Sequence, residues 1–125
     1  MIYIGTKELT LEDFKSILYS GAKIDLDEKA LNKVKESHEF LKVFSKDKLI
    51  YGINTGFGPM AQYKISNENQ IDLQYNLIRS HCAGAGKRLP DIEVKSAMIC
   101  RLNSLMQGFS GIHSEVVILL KDLIN

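Results

Sequence analysis

A chain of 125 residues, 45% hydrophobic and 25% charged, has the make-up of a soluble globular domain or of part of a larger one. Its formal net charge is +1, and the only basic run, Lys42 to Lys48, is interrupted by Asp47; a broad electrostatic footprint for nucleic acid is excluded. No apolar run approaches the roughly 18 residues of a membrane span, the first residues lack the basic-then-apolar pattern of a secretory signal, and Cys82 and Cys100, at no zinc-binding spacing, point to reduced thiols and a cytoplasmic address.

In chain order, Ile2 to Ile4 is a candidate short strand. Thr10-Leu11-Glu12-Asp13 has the form of a capping box, and Leu11, Phe14, Ile17 and Leu18 follow at helical spacing until Ser20-Gly21 stops the helix. A longer helix starts near Asp27, with Ala30, Leu31, Val34, Leu41 and Phe44 on one face and His38 beside it as a boundary histidine. Leu49-Ile50 leads into a loop, after which Ser66 is expected to cap a helix bearing Ile71, Leu77 and Ile78. The glycines of Ala83-Gly84-Ala85-Gly86 end that helix. Pro90 suits the first turn of the next, whose apolar set is Ile92, Ala97, Met98, Leu102 and Leu105. After Gly108 to Gly111 comes a last helix, apolar around most of its circumference through Val116, Val117, Leu119, Leu120, Leu123 and Ile124. Such a helix needs partners on several sides. The pattern is that of a mainly α chain with one short N-terminal strand, either a piece of a larger protein or an obligate assembly.

The loop Tyr51-Gly52-Ile53-Asn54-Thr55-Gly56-Phe57-Gly58-Pro59-Met60 places three glycines and a proline in ten residues. Glycine at that density marks unusual backbone conformations or close approach, and such loops carry function. The spacing does not match a dinucleotide fingerprint, and Ala83 to Arg88 lacks both the leading glycine and the Ser or Thr of a P-loop. Tyr51 has two readings. Its ring could be buried with a bonded hydroxyl, or its phenol could act in acid–base chemistry, which near neutrality requires about 4 kcal/mol of help from positive charge or hydrogen bonds to the phenolate. His81, before a glycine turn, reads either as a cap on a helix C-terminus or as a ligand contact with one ring nitrogen turned into a site.

Three stretches, taken together, resemble a known family. They are Tyr51-Gly52-Ile53-Asn54-Thr55-Gly56-Phe57-Gly58, Leu73-Gln74-Tyr75-Asn76-Leu77-Ile78-Arg79-Ser80-His81, and Arg101-Leu102-Asn103-Ser104-Leu105 with Gly108-Phe109-Ser110-Gly111. In order and spacing they resemble the N-terminal part of the histidine ammonia-lyases and their relatives, the aromatic amino acid ammonia-lyases and aminomutases. The resemblance runs from about Ile50 to Asn125. It implies a largely helical ammonia-lyase fold with a Gly-rich active-site loop, residues 1–125 being an incomplete N-terminal part. It also implies elimination of ammonia from an α-amino acid, homotetramers whose active sites draw on several subunits, and no metal.

On this resemblance Tyr51 is the catalytic base that removes a β-proton, Ser80 and His81 are the substrate-selectivity pair, and Gly58 and Asn54 belong with them as substrate-binding residues. A Ser-His pair looks like the histidine-specific branch, in which L-histidine gives trans-urocanate; the alternatives are a tyrosine ammonia-lyase or a non-catalytic helical interaction module. The family's electrophile is a methylidene-imidazolone formed from an internal Ala-Ser-Gly, and that tripeptide occurs nowhere in these residues.

Overall fold

The computed structural model describes residues 1–125, the side chain of Asn67 excepted. They form two compact units: Met1–Leu41 with Arg88–Asn125, and Lys42–Lys87.

The first unit opens with β1 (Ile2–Ile4), which pairs in parallel with β2 (Ile24–Leu26) in the register Ile2 with Ile24, Tyr3 with Asp25 and Ile4 with Leu26. Parallel strands need a crossover, here α1 (Leu11–Tyr19). The capping box expected at its start is present. The Asp13 N–H donates to the Thr10 hydroxyl at 3.2 Å, and the Thr10 N–H donates to the Asp13 carboxylate at 3.0 Å. At its end the N–H groups of Ser20 and Ala22 both donate to the Ser16 carbonyl.

Helix α2 (Glu28–Phe44) follows Asp27, whose carboxylate accepts from the Ala30 N–H at 2.9 Å. Helix α4 is Asp91–Leu105, with Pro90 just outside it as the N-cap residue and its carbonyl accepting from the N–H groups of Glu93 and Val94. Helix α5 (Ser114–Ile124) is capped by the His113 ring, which accepts from the Glu115 N–H. The side-chain amide of Asn125 pairs with both backbone groups of Ile24, at 2.9 Å each, as a neighbouring strand would.

The core of this unit is Ile4, Ile17, Ile24, Ala30, Val34, Ile99, Leu102, Leu105, Met106, Val117 and Ile124. The helical members recur at i+3, i+4 or i+7, so each helix buries one stripe. Burying a large aliphatic side chain contributes about 1.5–3 kcal/mol. His38 sits at the margin of this core, its Nδ1 2.9 Å from the Gly111 carbonyl. Helix α5 keeps Val117 and Ile124 inside and leaves Val116, Ile118, Leu119 and Leu123 exposed, as its all-round apolar character predicts.

The second unit contains the glycine loop and α3 (Gln70–His81). Its buried residues, among those described, are Asn54, Thr55 and Gly56; every large apolar side chain in it is at least partly exposed. Polar contacts, not an apolar interior, give this unit its shape.

Two sequence expectations are corrected. No element is anticipated at Ile24–Leu26, which is a strand because it meets β1 across a long sequence separation. Ser66 does not cap α3: a 3-10 turn, Asn67–Asn69, comes between them, and the Ser66 hydroxyl makes no capping hydrogen bond.

Candidate active site

Tyr51 begins a tight turn. The N–H groups of Ile53 and Asn54 both donate to the Ile50 carbonyl, at 3.1 and 3.2 Å, so the chain folds back within four residues. This leaves the Tyr51 side chain 64% exposed, its ring edge-on to Phe57 with centroids 5.9 Å apart. These residues therefore do not bury the Tyr51 ring.

Asn54 holds the turn from within. It is 4% exposed, and both of its amide protons are used: Nδ2 donates to the Ser45 carbonyl at 2.9 Å and to the Lys48 carbonyl at 2.7 Å. Its Oδ1 accepts from the Ile50 N–H at 2.8 Å. One Oδ1 lone pair is all that Asn54 has left to offer a substrate. Thr55, 1% exposed, donates its hydroxyl to the Gly56 carbonyl at 3.0 Å.

The return strand closes the loop as a small hairpin. Thr55 bridges Lys64 in antiparallel fashion, the Gly56 N–H donates to the Tyr63 carbonyl, and the Ile65 N–H donates to the Asn54 carbonyl. A Cβ at Gly56 would lie 2.7 Å from Met60 Cβ and 2.9 Å from the Met60 carbonyl oxygen, so only glycine lets the hairpin close. Gly58 opens the 3-10 turn Gly58–Met60 at the tip and is exposed, with open space where a side chain would stand.

Ser80 and His81 form the last turn of α3 and are exposed. His81 Nδ1 lies 2.9 Å from the Leu77 carbonyl and 3.0 Å from the Ser80 hydroxyl, and that hydroxyl donates to the same carbonyl. A carbonyl only accepts, so the contact with Leu77 is a hydrogen bond when Nδ1 is protonated, and in that tautomer Nε2 is the acceptor. The helix-capping reading of His81 is thus seen directly, one ring nitrogen meeting the Leu77 carbonyl.

The structure thus brings Tyr51, Asn54 and Gly58 into one hairpin, and Ser80 with His81 onto one helix end. Among the described residues no hydrogen bond or ring contact joins the two groups. Thr55 and Phe57, unmarked by the sequence reading, belong to the hairpin. The Asn-Thr pair between glycines is their only signal, since small polar residues there can replace an apolar core with hydrogen bonds. The unit carries six basic and three acidic side chains, a balance that favours an anionic ligand over a cationic one. Among the described residues no three His, Cys, Asp or Glu side chains gather as metal ligands would, and no helix is long and apolar enough to cross a membrane.

Comparison with known proteins agrees with the resemblance. Residues 9–125 match the family model for aromatic amino acid lyase. A probable histidine ammonia-lyase of Thermoplasma volcanium is 47% identical over 126 residues, covering all of this chain and 26% of that protein. The histidine ammonia-lyase of Shouchella clausii is 38% identical, over all of this chain and 25% of that protein. Among solved structures, the ergothioneine-degrading enzyme ergothionase of Treponema denticola superposes with a TM-score of 0.92 at 28% identity, over 99% of this chain and 25% of that one. The chain thus spans about a quarter of the length of the curated relatives it matches. With a mainly helical fold and a family match over nearly its whole length, the chain belongs to the aromatic amino acid lyase family.

Proposed function

We propose that this chain is the N-terminal part of a histidine ammonia-lyase, and that it contributes the base and one side of the substrate pocket to an enzyme converting L-histidine to trans-urocanate and ammonia. The observation that supports this most is Tyr51: an exposed phenol at the entrance of a hydrogen-bonded hairpin, in a chain similar along its full length to histidine ammonia-lyases. In the elimination the Tyr51 phenolate takes the β-proton of the substrate. The C–H electron pair becomes the new C=C bond, and the substrate's protonated amino group, –NH3+, leaves with the C–N pair as neutral ammonia, the proton taken from carbon remaining on the Tyr51 oxygen. The hairpin's task is to hold the phenolate oxygen within reach of that proton.

His81 Nε2 accepts the N–H of the substrate imidazole, and Ser80 fixes the orientation of the His81 ring through its contact with Nδ1. Gly58, lacking a side chain, lets the loop tip approach the substrate. Asn54 maintains the hairpin and adds at most one lone pair to the pocket. The family's methylidene-imidazolone forms from an Ala-Ser-Gly that these 125 residues do not contain, so another part of the complete enzyme would supply that group, and no step is assigned to it here. The enzyme works as a cytoplasmic homotetramer. The exposed apolar set Ile71, Tyr75 and Ile78 on α3 supports an assembled state, since residues at this spacing share one helix face.

The test is an ultraviolet assay on the complete enzyme containing this segment, given histidine and tyrosine separately. Urocanate from histidine is the expected product, and coumarate from tyrosine with none from histidine overturns the substrate assignment. In the same enzyme Tyr51→Phe should abolish most turnover without loss of fold. Near-normal turnover removes Tyr51 from the chemistry.

A further inference from the structure

We infer that Asn54 is the positioning residue of the active-site tyrosine: it sets where the Tyr51 phenol stands, and its contribution to catalysis runs through that placement. The inference rests on the reading of Tyr51 as the base. Asn54 is the hub of a unit that has no buried apolar side chain among its described residues. Its Nδ2 draws together the carbonyls of Ser45 and Lys48, on the segment leading into the loop, while its Oδ1 fixes the N–H of Ile50, the residue before Tyr51. The Ile50 carbonyl in turn accepts the two N–H bonds that form the turn at Tyr51. From Asn54 to the Tyr51 backbone the path is therefore one side-chain hydrogen bond and one peptide unit.

The chemistry of the pattern is selective. The site asks for two donors toward two carbonyls and one acceptor toward an N–H, from a side chain short enough to be buried in a turn. Asparagine meets this; aspartate offers only acceptors when ionised, and serine has a single donor. A buried amide with all three contacts between 2.7 and 2.9 Å has little freedom. The alternative anchors are weaker: the Thr55 hydroxyl accepts from the Gly52 N–H beside Tyr51 at a long 3.4 Å, and the Tyr51 ring leans on the partly exposed Phe57. Displacing a reacting group by about 1 Å costs on the order of 100-fold in rate.

The experiment is a cycle in the complete enzyme containing this segment: Asn54→Ala, Tyr51→Phe and the double variant, with kcat, KM and amide hydrogen exchange measured on folded protein. Asn54→Ala is expected to lower kcat about 100-fold with KM within roughly threefold of the parent, and to speed exchange at Ile50, Ile53 and Asn54. The double variant should be no slower than Tyr51→Phe alone, since a residue acting through Tyr51 has nothing further to lose. A raised KM at unchanged kcat, or losses that multiply, overturns the inference.

Should Asn54→Ala not fold, Asn54→Asp keeps the shape and the acceptor toward Ile50 while setting an oxygen against two carbonyls. Its kcat relative to the parent should rise as pH falls and the carboxyl regains one donor; a flat ratio counts against the inference. Full turnover in Tyr51→Phe would defeat the catalytic reading itself, and the exchange measurement would still report whether Asn54 organises the loop.

Discussion

Gly21 and Gly111 have nearly the same positive φ, +66° and +64°, in different surroundings. A Cβ at Gly21 meets nothing within 4 Å, whereas one at Gly111 would lie 2.5 Å from Leu41 Cδ2 and 3.3 Å from Leu41 Cβ. Substituting alanine at either position incurs the left-handed backbone cost, about 1 kcal/mol, and gains the same small benefit from a stiffer unfolded chain. Those contributions cancel in the comparison. The remainder is the overlap with Leu41, for which overpacking costs about 1–3 kcal/mol. Leu41 is only half-buried and can turn part of the way aside, so the lower half of that range is expected. The Gly111 backbone is also fixed, its N–H donating to the Ser37 hydroxyl at 3.2 Å and its carbonyl accepting from His38, so the turn cannot retreat freely. Gly111→Ala should therefore be less stable than Gly21→Ala by about 1–2 kcal/mol in urea unfolding, at unchanged m-value. Adding Leu41→Ala should recover most of the difference. Equal stability of the two variants, or no recovery, would refute the steric argument.

Leu102→Ala, in the core, should cost about 2–5 kcal/mol, whereas Ile71→Ala, on the exposed face of α3, should change the stability of the chain by less than about 0.5 kcal/mol; denaturant curves for the pair decide it. The Thr10 backbone N–H, its hydroxyl and then Lys7 hold the Asp13 carboxyl below the usual carboxylate range. Its stabilising contribution is therefore present above the ordinary value of about 3.9 and is lost as pH falls through the lower folded value. Melting temperatures of the parent and Asp13→Asn should differ at neutral pH and converge in acid; a gap that widens in acid would reverse the assigned sign. In the complete enzyme His81→Ala should lower kcat/KM for histidine at least about tenfold, as expected for losing a hydrogen bond to substrate; unchanged kcat/KM would exclude His81 as a contact.

What could be read from the sequence was local. Thr10 and Asp13 announce their capping box because both partners lie within four residues, and Leu102 and Leu105 announce their face by spacing alone. The strand Ile24–Leu26 was invisible because its partner lies 22 residues earlier and its three residues show no periodicity. Ser66 has the right chemistry for a cap, but the 3-10 turn that separates it from α3 has no strong local signature. The site shows the same division. Tyr51 and His81 stand out as candidates by residue type and by the motifs around them. The expectation for Asn54 was a substrate contact, and its three backbone hydrogen bonds could not be foreseen, since they depend on how Ser45, Lys48 and Ile50 return around it.

That division explains why the proposed chemistry sits in Lys42–Lys87 and not in Met1–Leu41 with Arg88–Asn125. The apolar interior lies in the latter unit, where a substitution such as Leu102→Ala is felt as lost packing. A catalytic phenol cannot be sealed in such an interior and still meet a substrate. In Lys42–Lys87 the burial of Asn54 and Thr55 fixes backbone geometry with few atoms, leaving Tyr51, Gly58, Ser80 and His81 on the surface. A segment held this way has little cooperative stability of its own and is drawn from the low-stability end of a structure, as ligand-binding loops are. Loss of a single hydrogen-bonding side chain there should therefore appear first in the rate of the reaction and only secondarily in global stability, whereas loss of a core side chain should do the reverse.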